Sequence, residues 1–149
     1  MGGRGGMANE PDLGALIARV LPHLMALEEP ILREVGLSMW EYAIVTELAS
    51  QAVVSQIELS RRTRRDPTRL GKHLDDLAAR GLVVRERSDD HRQRTVRLTP
   101  AGELLYEGVK KRIRVVEDEF LRSALSATDA VSLRHALVRL ADASGMDRS

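Results

Sequence analysis

Apolar residues fall three or four apart through most of this chain, and the interruptions divide it into six helical segments and one pair of short strands. From Asp12 to about Val35 the stripe is Leu13, Ile17, Val20, Leu24, Leu27 and Ile31, one helical face that Gly36 ends. Pro22 and Pro30 lack the N–H that a helix interior uses, so a kink or break is expected near one or both. Ser38 and Glu41 have capping-box spacing and open a helix to about Ala49. Ser55 and Glu58 repeat that spacing before a two-turn helix with Ile57 and Leu59 as its apolar members. Asp66 and Pro67 supply an N-cap and a first residue with preset φ for a helix to Arg80, stopped by Gly81. There Leu70, Leu74 and Leu77 share one face, while Thr68, Arg69 and Lys72 point away, with His73 on the flank.

The runs LVVRER and TVRLT, separated by SDDHRQR, predict an antiparallel hairpin with a polar tip. Thr99 and Pro100 then start a long helix striped by Leu105, Val109, Ile113, Val116, Phe120 and Ala124. A last helix from Ser126 to about Ala143 aligns Ala130, Leu133, Leu137 and Leu140. The opening MGGRGGMANEP is glycine-rich and aperiodic, so residues 1–11 are expected to form a disordered tail, with Met7 as an alternative start. The fold class predicted is mainly α with a small β-hairpin. Short helix, turn, basic-faced helix and charged hairpin make a winged helix-turn-helix lobe over residues 37–99, flanked by helical segments 12–36 and 100–146.

Composition narrows the chemistry. At 149 residues the chain is long enough to bury one sizeable core. It has no cysteine, which excludes disulfides, thiolate metal sites and thiol redox sensing within it. Its apolar runs are too short for a membrane helix or a signal peptide, so a soluble, cytoplasmic protein without a membrane partner is expected. The net charge of +1 conceals segregation: residues 61–97 hold 12 Arg or Lys against 6 Asp or Glu, and the remainder holds 11 against 16. Of the 23 basic residues 20 are Arg, which codon bias would explain, but bias does not explain their clustering. A basic segment on an acidic scaffold is the footprint of a face that meets a polyanion. His23, His73, His91 and His135 show no metal-ligand pairing, and phosphate-binding glycine loops are absent, so neither catalysis nor a cofactor is expected. Asp89, Asp90 and His91 read as a solvated turn rather than metal ligands. The scarcity of aromatic residues argues against stacking of unpaired RNA bases.

The stretch GLVVRERSDDHRQRTVRLTPAG, residues 81–102, resembles the hairpin of the MarR family of transcription regulators, and the resemblance extends over residues 12–142. It implies a homodimer on double-stranded DNA, most simply a repressor, with helix 66–80 as the recognition helix. Ser55, Thr68, Arg69, Lys72 and, more weakly, His73 are then DNA-facing, and Arg64 and Arg65 add phosphate contacts. Arg92 would reach from the wing toward a minor groove, held by Asp90, with Arg94 near the tip. The flanking helices would interdigitate between subunits, and two recognition helices would read an inverted repeat. Arg64 and Arg65 stand where the family often turns through small residues, and Gly71 sits inside the recognition helix at a cost of about 1 kcal/mol relative to Ala. The resemblance further implies a small aromatic or phenolic effector between lobe and dimer helices, with His23, Trp40 and Tyr42 as its lining; core packing is the competing reading of the Trp and Tyr. Charge segregation alone also permits a helical dimeric interaction module whose basic segment meets an acidic protein partner.

Overall fold

The computed structural model describes residues 9–90 and 92–146. Residues 1–8 of the expected tail and His91 of the hairpin tip lie outside the described residues, while Asn9, Glu10 and Pro11 are exposed ahead of the first helix. The elements are α1 (Leu13–Glu34), α2 (Met39–Ala49), β1 (Val54–Ser55), α3 (Gln56–Thr63), α4 (Pro67–Ala79), β2 (Val83–Arg87), β3 (Arg94–Leu98), α5 (Pro100–Arg122) and α6 (Ala127–Met146).

Local chemistry sets the helix starts. The Ser38 hydroxyl accepts from the Glu41 N–H at 3.1 Å and the Glu41 carboxylate accepts from the Ser38 N–H at 3.0 Å, a complete capping box. At α3 only half of that device forms. Ser55 accepts from the Glu58 N–H at 3.1 Å, but the Glu58 carboxylate turns instead to Arg61 and Arg62. Asp66 caps α4 through the Arg69 N–H at 3.0 Å, and Thr99 caps α5 through the Gly102 N–H at 3.0 Å, each ahead of a proline.

α1 is one uninterrupted helix with both prolines inside it, so of the kink or break expected there neither proline makes a break. Each proline removes one backbone bond, and the carbonyls released belong to Ala18 and Ala26, both exposed residues that water can serve.

The core gathers Ile31 and Leu32 of α1, Ile44, Val45 and Leu48 of α2, Leu59 of α3, the three leucines of α4, Val96 of β3, and Val109 and Ile113 of α5. Ile57, expected beside Leu59, is 66% exposed; residues two apart on a helix lie about 200° round from each other and cannot share a face. The hairpin forms as expected, with Val83 opposite Leu98 and Arg85 opposite Val96. A third strand joins it: Val54 and Ser55 pair antiparallel with Val96 and Thr95, giving the order β1-β3-β2. Two residues are too few for a strand periodicity to show in the sequence.

Gly102 has a packing reason. A Cβ there would clash with the Leu82 carbonyl oxygen, which already accepts from the Thr99 N–H at 3.0 Å, so α5 and the strand entry approach too closely for a side chain.

The stripes of α1 and α6 are only partly used. Leu13, Ile17 and Val20 of α1 and Leu137, Val138 and Leu140 of α6 are exposed, whereas Ile31 and Ala130 are buried.

Truncation of Leu74, which is fully buried, should cost about 2–5 kcal/mol in chemical denaturation, and Ile57→Ala within about 0.5 kcal/mol. Equal losses at the two sites would contradict this core.

Candidate nucleic-acid interface

The three buried leucines turn the opposite side of α4 outward, so Thr68, Arg69 and Lys72 are exposed near its start and His73 is half-buried beside them. The Arg69 guanidinium lies 3.4 Å from the Asp66 carboxylate, an exposed pair that competes weakly with any other anion. Asp66 is held below the usual carboxylate range, first by the Arg69 N–H it caps and further by the neighbouring cationic side chains. A Cβ at Gly71 would meet nothing, so no contact within the chain requires glycine there.

The turn between α3 and α4 is unusual in carrying arginines. Arg64 is the C-cap of α3 with φ 54° and ψ 34°, a left-handed conformation that non-glycine residues seldom adopt. Its side chain is exposed and makes no ion pair among the described residues. Arg65 is engaged. Its guanidinium carbon sits 4.0 Å from the centre of the Trp40 ring, its N–H donates to the Ser60 carbonyl at 3.2 Å, and its own carbonyl accepts from the Ser60 hydroxyl at 2.5 Å. Its Nε and the Gln56 Oε1 are buried without partners among the described residues. Ser55 is likewise occupied, as the cap of α3 and the partner of Thr95.

At the hairpin tip a polar staple fixes the backbone. The Ser88 hydroxyl donates to Asp90 Oδ1 at 2.6 Å and accepts from the Gln93 N–H at 3.2 Å, while Asp90 Oδ1 also accepts from the Arg92 N–H at 3.1 Å. Asp90 therefore holds Arg92 through its backbone and not through its guanidinium. The Ser88 hydroxyl first, and the Arg92 N–H second, keep the Asp90 carboxyl below its ordinary range, so the staple is intact at neutral pH and loosens only as pH falls through that lowered value.

The basic residues of the hairpin divide by partner. Arg85 pairs with Asp75 of α4, and Arg97 with Glu86 across the strands at 3.2 Å. Arg87, Arg92 and Arg94 are exposed and make no ion pair among the described residues. Arg87 and Arg94 stand directly opposite in the register, a like-charge pair that weakens an isolated hairpin and that an external anion relieves. Sequence reading missed Arg87, because only the register makes it the neighbour of Arg94. It also missed Ser88, whose role shows only in the folded tip.

The three residues suggested for an effector site have separate neighbours. His23 stacks on Phe120 at 6.5 Å between ring centres, Trp40 carries Arg65, and Tyr42 lies 6.0 Å from Tyr106. His23 lines a shallow cavity of about 570 Å³ with Leu16, Arg19 and Pro22. A larger cleft of about 800 Å³ is lined by Glu47, Glu58, Arg61, Arg62 and Arg64 of the lobe and by Asp142 near the end of α6, and none of the three borders it.

Beside Tyr42, α1 and α5 bring two carboxyl groups together. Glu117 is 3.3 Å from Arg134 of α6, and on the Glu28 side burial first, then the hydrogen bond and charge of Glu117, raise the Glu28 carboxyl to about 8. Burial and the adjacent Tyr106 push Tyr42 up to about 12.

A three-stranded sheet, a capped helix packed on a shorter one through an abrupt turn, and a stapled basic hairpin define a winged helix-turn-helix protein. Residues 35–94, from the end of α1 to the start of β3, match the MarR family model, the family whose hairpin the sequence motif resembles. A MarR-family transcriptional regulator from Rhodococcus sp. RHA1 is similar over 87% of this chain and 92% of its own, with 26% identity and a TM-score of 0.77. CouR from Rhodococcus jostii RHA1, bound to p-coumaroyl-CoA, is similar over 87% and 91%, with 24% identity and a TM-score of 0.72. A mutant MarR from E. coli complexed with operator DNA is similar over 86% and 92%, with 22% identity and a TM-score of 0.70. No curated protein sequence matches the chain. Among the described residues no helix is long and apolar enough to cross a membrane.

Glu28 is protonated in the folded protein between about 4.5 and about 8 and ionised there when unfolded, so its contribution is most favourable below about 4.5 and declines as pH rises toward 8. Glu28→Gln should raise Tm relative to wild type by an amount that grows from pH 5 to pH 8. A pH-independent difference between the two melting series would refute this assignment.

Proposed function

We propose that this protein is a homodimeric, sequence-specific DNA-binding regulator, a repressor, that reads an inverted-repeat operator and is released by a small aromatic or phenolic anion. The observation that carries the reading is that, within the basic segment 61–97, the exposed cations whose side chains make neither an ion pair nor a hydrogen bond among the described residues, Arg64, Lys72, Arg87, Arg92 and Arg94, gather on the turn, the recognition helix and the wing. The first half of α4 enters a major groove with Thr68, Arg69 and Lys72 toward base edges, and His73 at the margin. Asp75 and Asp76 at its far end keep that end away from phosphates. Arg92 and Arg94 reach toward the adjacent minor groove from the stapled tip, where a narrow groove concentrates negative potential, and Arg87 and Arg64 meet the backbone. Arg65 contributes by holding the turn on Trp40. Ser55 acts through its cap of α3, which sets that helix beneath α4.

Dimerisation uses the exposed apolar residues of α1 and α6. Segments 12–36 and 100–146 supply this region and residues 37–99 the reading lobe, although the lower turns of α1 and α5 pack into the lobe's core. Two lobes then present recognition helices about one helical turn of DNA apart. The ligand bound by CouR supports an effector with an aromatic acyl group for this chain too. Such a ligand, lodged near His23, Trp40 or Tyr42, releases DNA only by binding the incompetent spacing of the lobes more tightly than the competent one. The protein acts in the cytoplasm, where its DNA partner is, and the role requires no cofactor.

Selection of bound duplexes from a random pool should return an inverted repeat. Affinity for it should fall steeply between low and moderate salt, as counterion release by several arginines requires. Arg92→Ala should weaken operator binding about tenfold or more while leaving the melting temperature and dimer mass unchanged. Recovery of no preferred duplex, or affinity that ignores salt, would end the reading.

A further inference from the structure

The far end of the recognition helix is tied to the end of α1. Arg80, the C-cap of α4, donates from Nη2 to the Val35 carbonyl at 2.7 Å and from Nη1 to the Gly36 carbonyl at 2.9 Å, contacts that span more than forty residues of sequence. Carbonyls at a helix C-terminus lack intrahelical partners and carry the negative end of the helix dipole, so a cation is favoured there. A planar guanidinium can serve two neighbouring acceptors at once, which an ammonium on a single stem does less well. Gly36 presents its carbonyl from a left-handed conformation at φ 69°, and a Cβ on it would lie 3.6 Å from Arg80 Nη1, an ordinary contact; conformation rather than space asks for glycine. The last turn of α1 is gripped from a second side, where Arg112 of α5 donates to Glu34 at 2.6 Å.

Arg80 is badly placed to touch DNA. It follows Asp75 and Asp76 and lies roughly 18 Å along the helix from Thr68 by the usual rise per residue. Its guanidinium is already committed to α1. Of the covalent links between lobe and flanking helices, one is the short α1–α2 turn and the other the β3–α5 junction; Arg80 adds a non-covalent one directly from the recognition helix.

We propose that Arg80 is a positioning residue that fixes the angle of α4 to α1, and thereby the separation of the two recognition helices in the dimer and the half-site spacing that the protein accepts. This rests on the dimeric DNA-binding reading above. One base pair of added spacer moves a half-site about 3.4 Å and about a tenth of a turn round the duplex, which a rigid pair of lobes does not follow.

The test compares wild type, Arg80→Ala and Arg80→Lys on the selected operator and on duplexes with the spacer lengthened or shortened by one base pair. Wild type should prefer its own spacer by roughly tenfold or more. Arg80→Ala should compress that preference to about threefold or less, with affinity for a single half-site unchanged, and Arg80→Lys should fall between. A spacer preference in Arg80→Ala equal to wild type overturns the proposal. If Arg80→Ala does not fold by circular dichroism, Arg80→Lys decides alone: a reduced preference supports the proposal and an unchanged one overturns it.

A second readout is independent of DNA. The chain has no cysteine, so Asp76→Cys gives one spin-label site per subunit on the exposed side of α4. The inter-subunit distance distribution should broaden when Arg80→Ala, or Arg80→Lys if the alanine variant does not fold, is added, and an unchanged distribution also overturns the role. Wild type that dimerises but prefers no duplex would end the DNA reading while leaving this distance measurement to judge Arg80.

Discussion

Burial of Leu70, Leu74 and Leu77 is the constraint on which the interface depends. These side chains are almost completely removed from water on one side of a thirteen-residue helix, and each such burial is worth roughly 1.5–3 kcal/mol. Once they are fixed, the helical repeat leaves Thr68, Arg69 and Lys72 no direction but outward. The Asp66 cap and Pro67 fix where the helix begins, so the exposed residues nearest the start are also those nearest the positive end of its dipole. The cations and the positive end of the dipole therefore lie at the same place.

Around this helix the structure separates arginines that hold the fold from arginines left over. Arg62 bridges α3 to α2 through Glu47, Arg85 joins the sheet to α4, Arg134 joins α6 to α5, and Arg80 joins α4 to α1. Among the arginines between residues 61 and 97, those whose side chains have no partner among the described residues, Arg64, Arg87, Arg92 and Arg94, lie on one turn and one hairpin. Opposite Arg87, Arg94 makes the hairpin a worse structure in isolation than it need be. That cost is local, because the Ser88–Asp90–Gln93 staple holds the tip and Val83, Val96 and Leu98 anchor the strands beneath it.

Much of this was legible from residue order. The caps at Ser38, Asp66 and Thr99 and the leucine face of α4 involve neighbours within a few positions, and local rules reach that far. Gly102, which stood in the sequence only as part of the hairpin motif, has its reason in a carbonyl twenty residues away. Of the two apolar members of α3, only Leu59 faces the core, and of the kink or break expected at the prolines of α1 no break forms, since water can serve the carbonyls they release. Trp40 is neither simply buried nor free: it is the platform for Arg65, a contact no spacing rule could propose.

Residue order alone placed the helix starts and the hairpin, marked the apolar faces and located the concentration of positive charge between residues 61 and 97, because capping, periodicity and composition act over one or two turns of chain. Packing settled which of those charges are consumed by partners, that β1 completes the sheet, and that Arg80 grips α1. Those outcomes depend on distances between segments far apart in the chain, set by how the core packs.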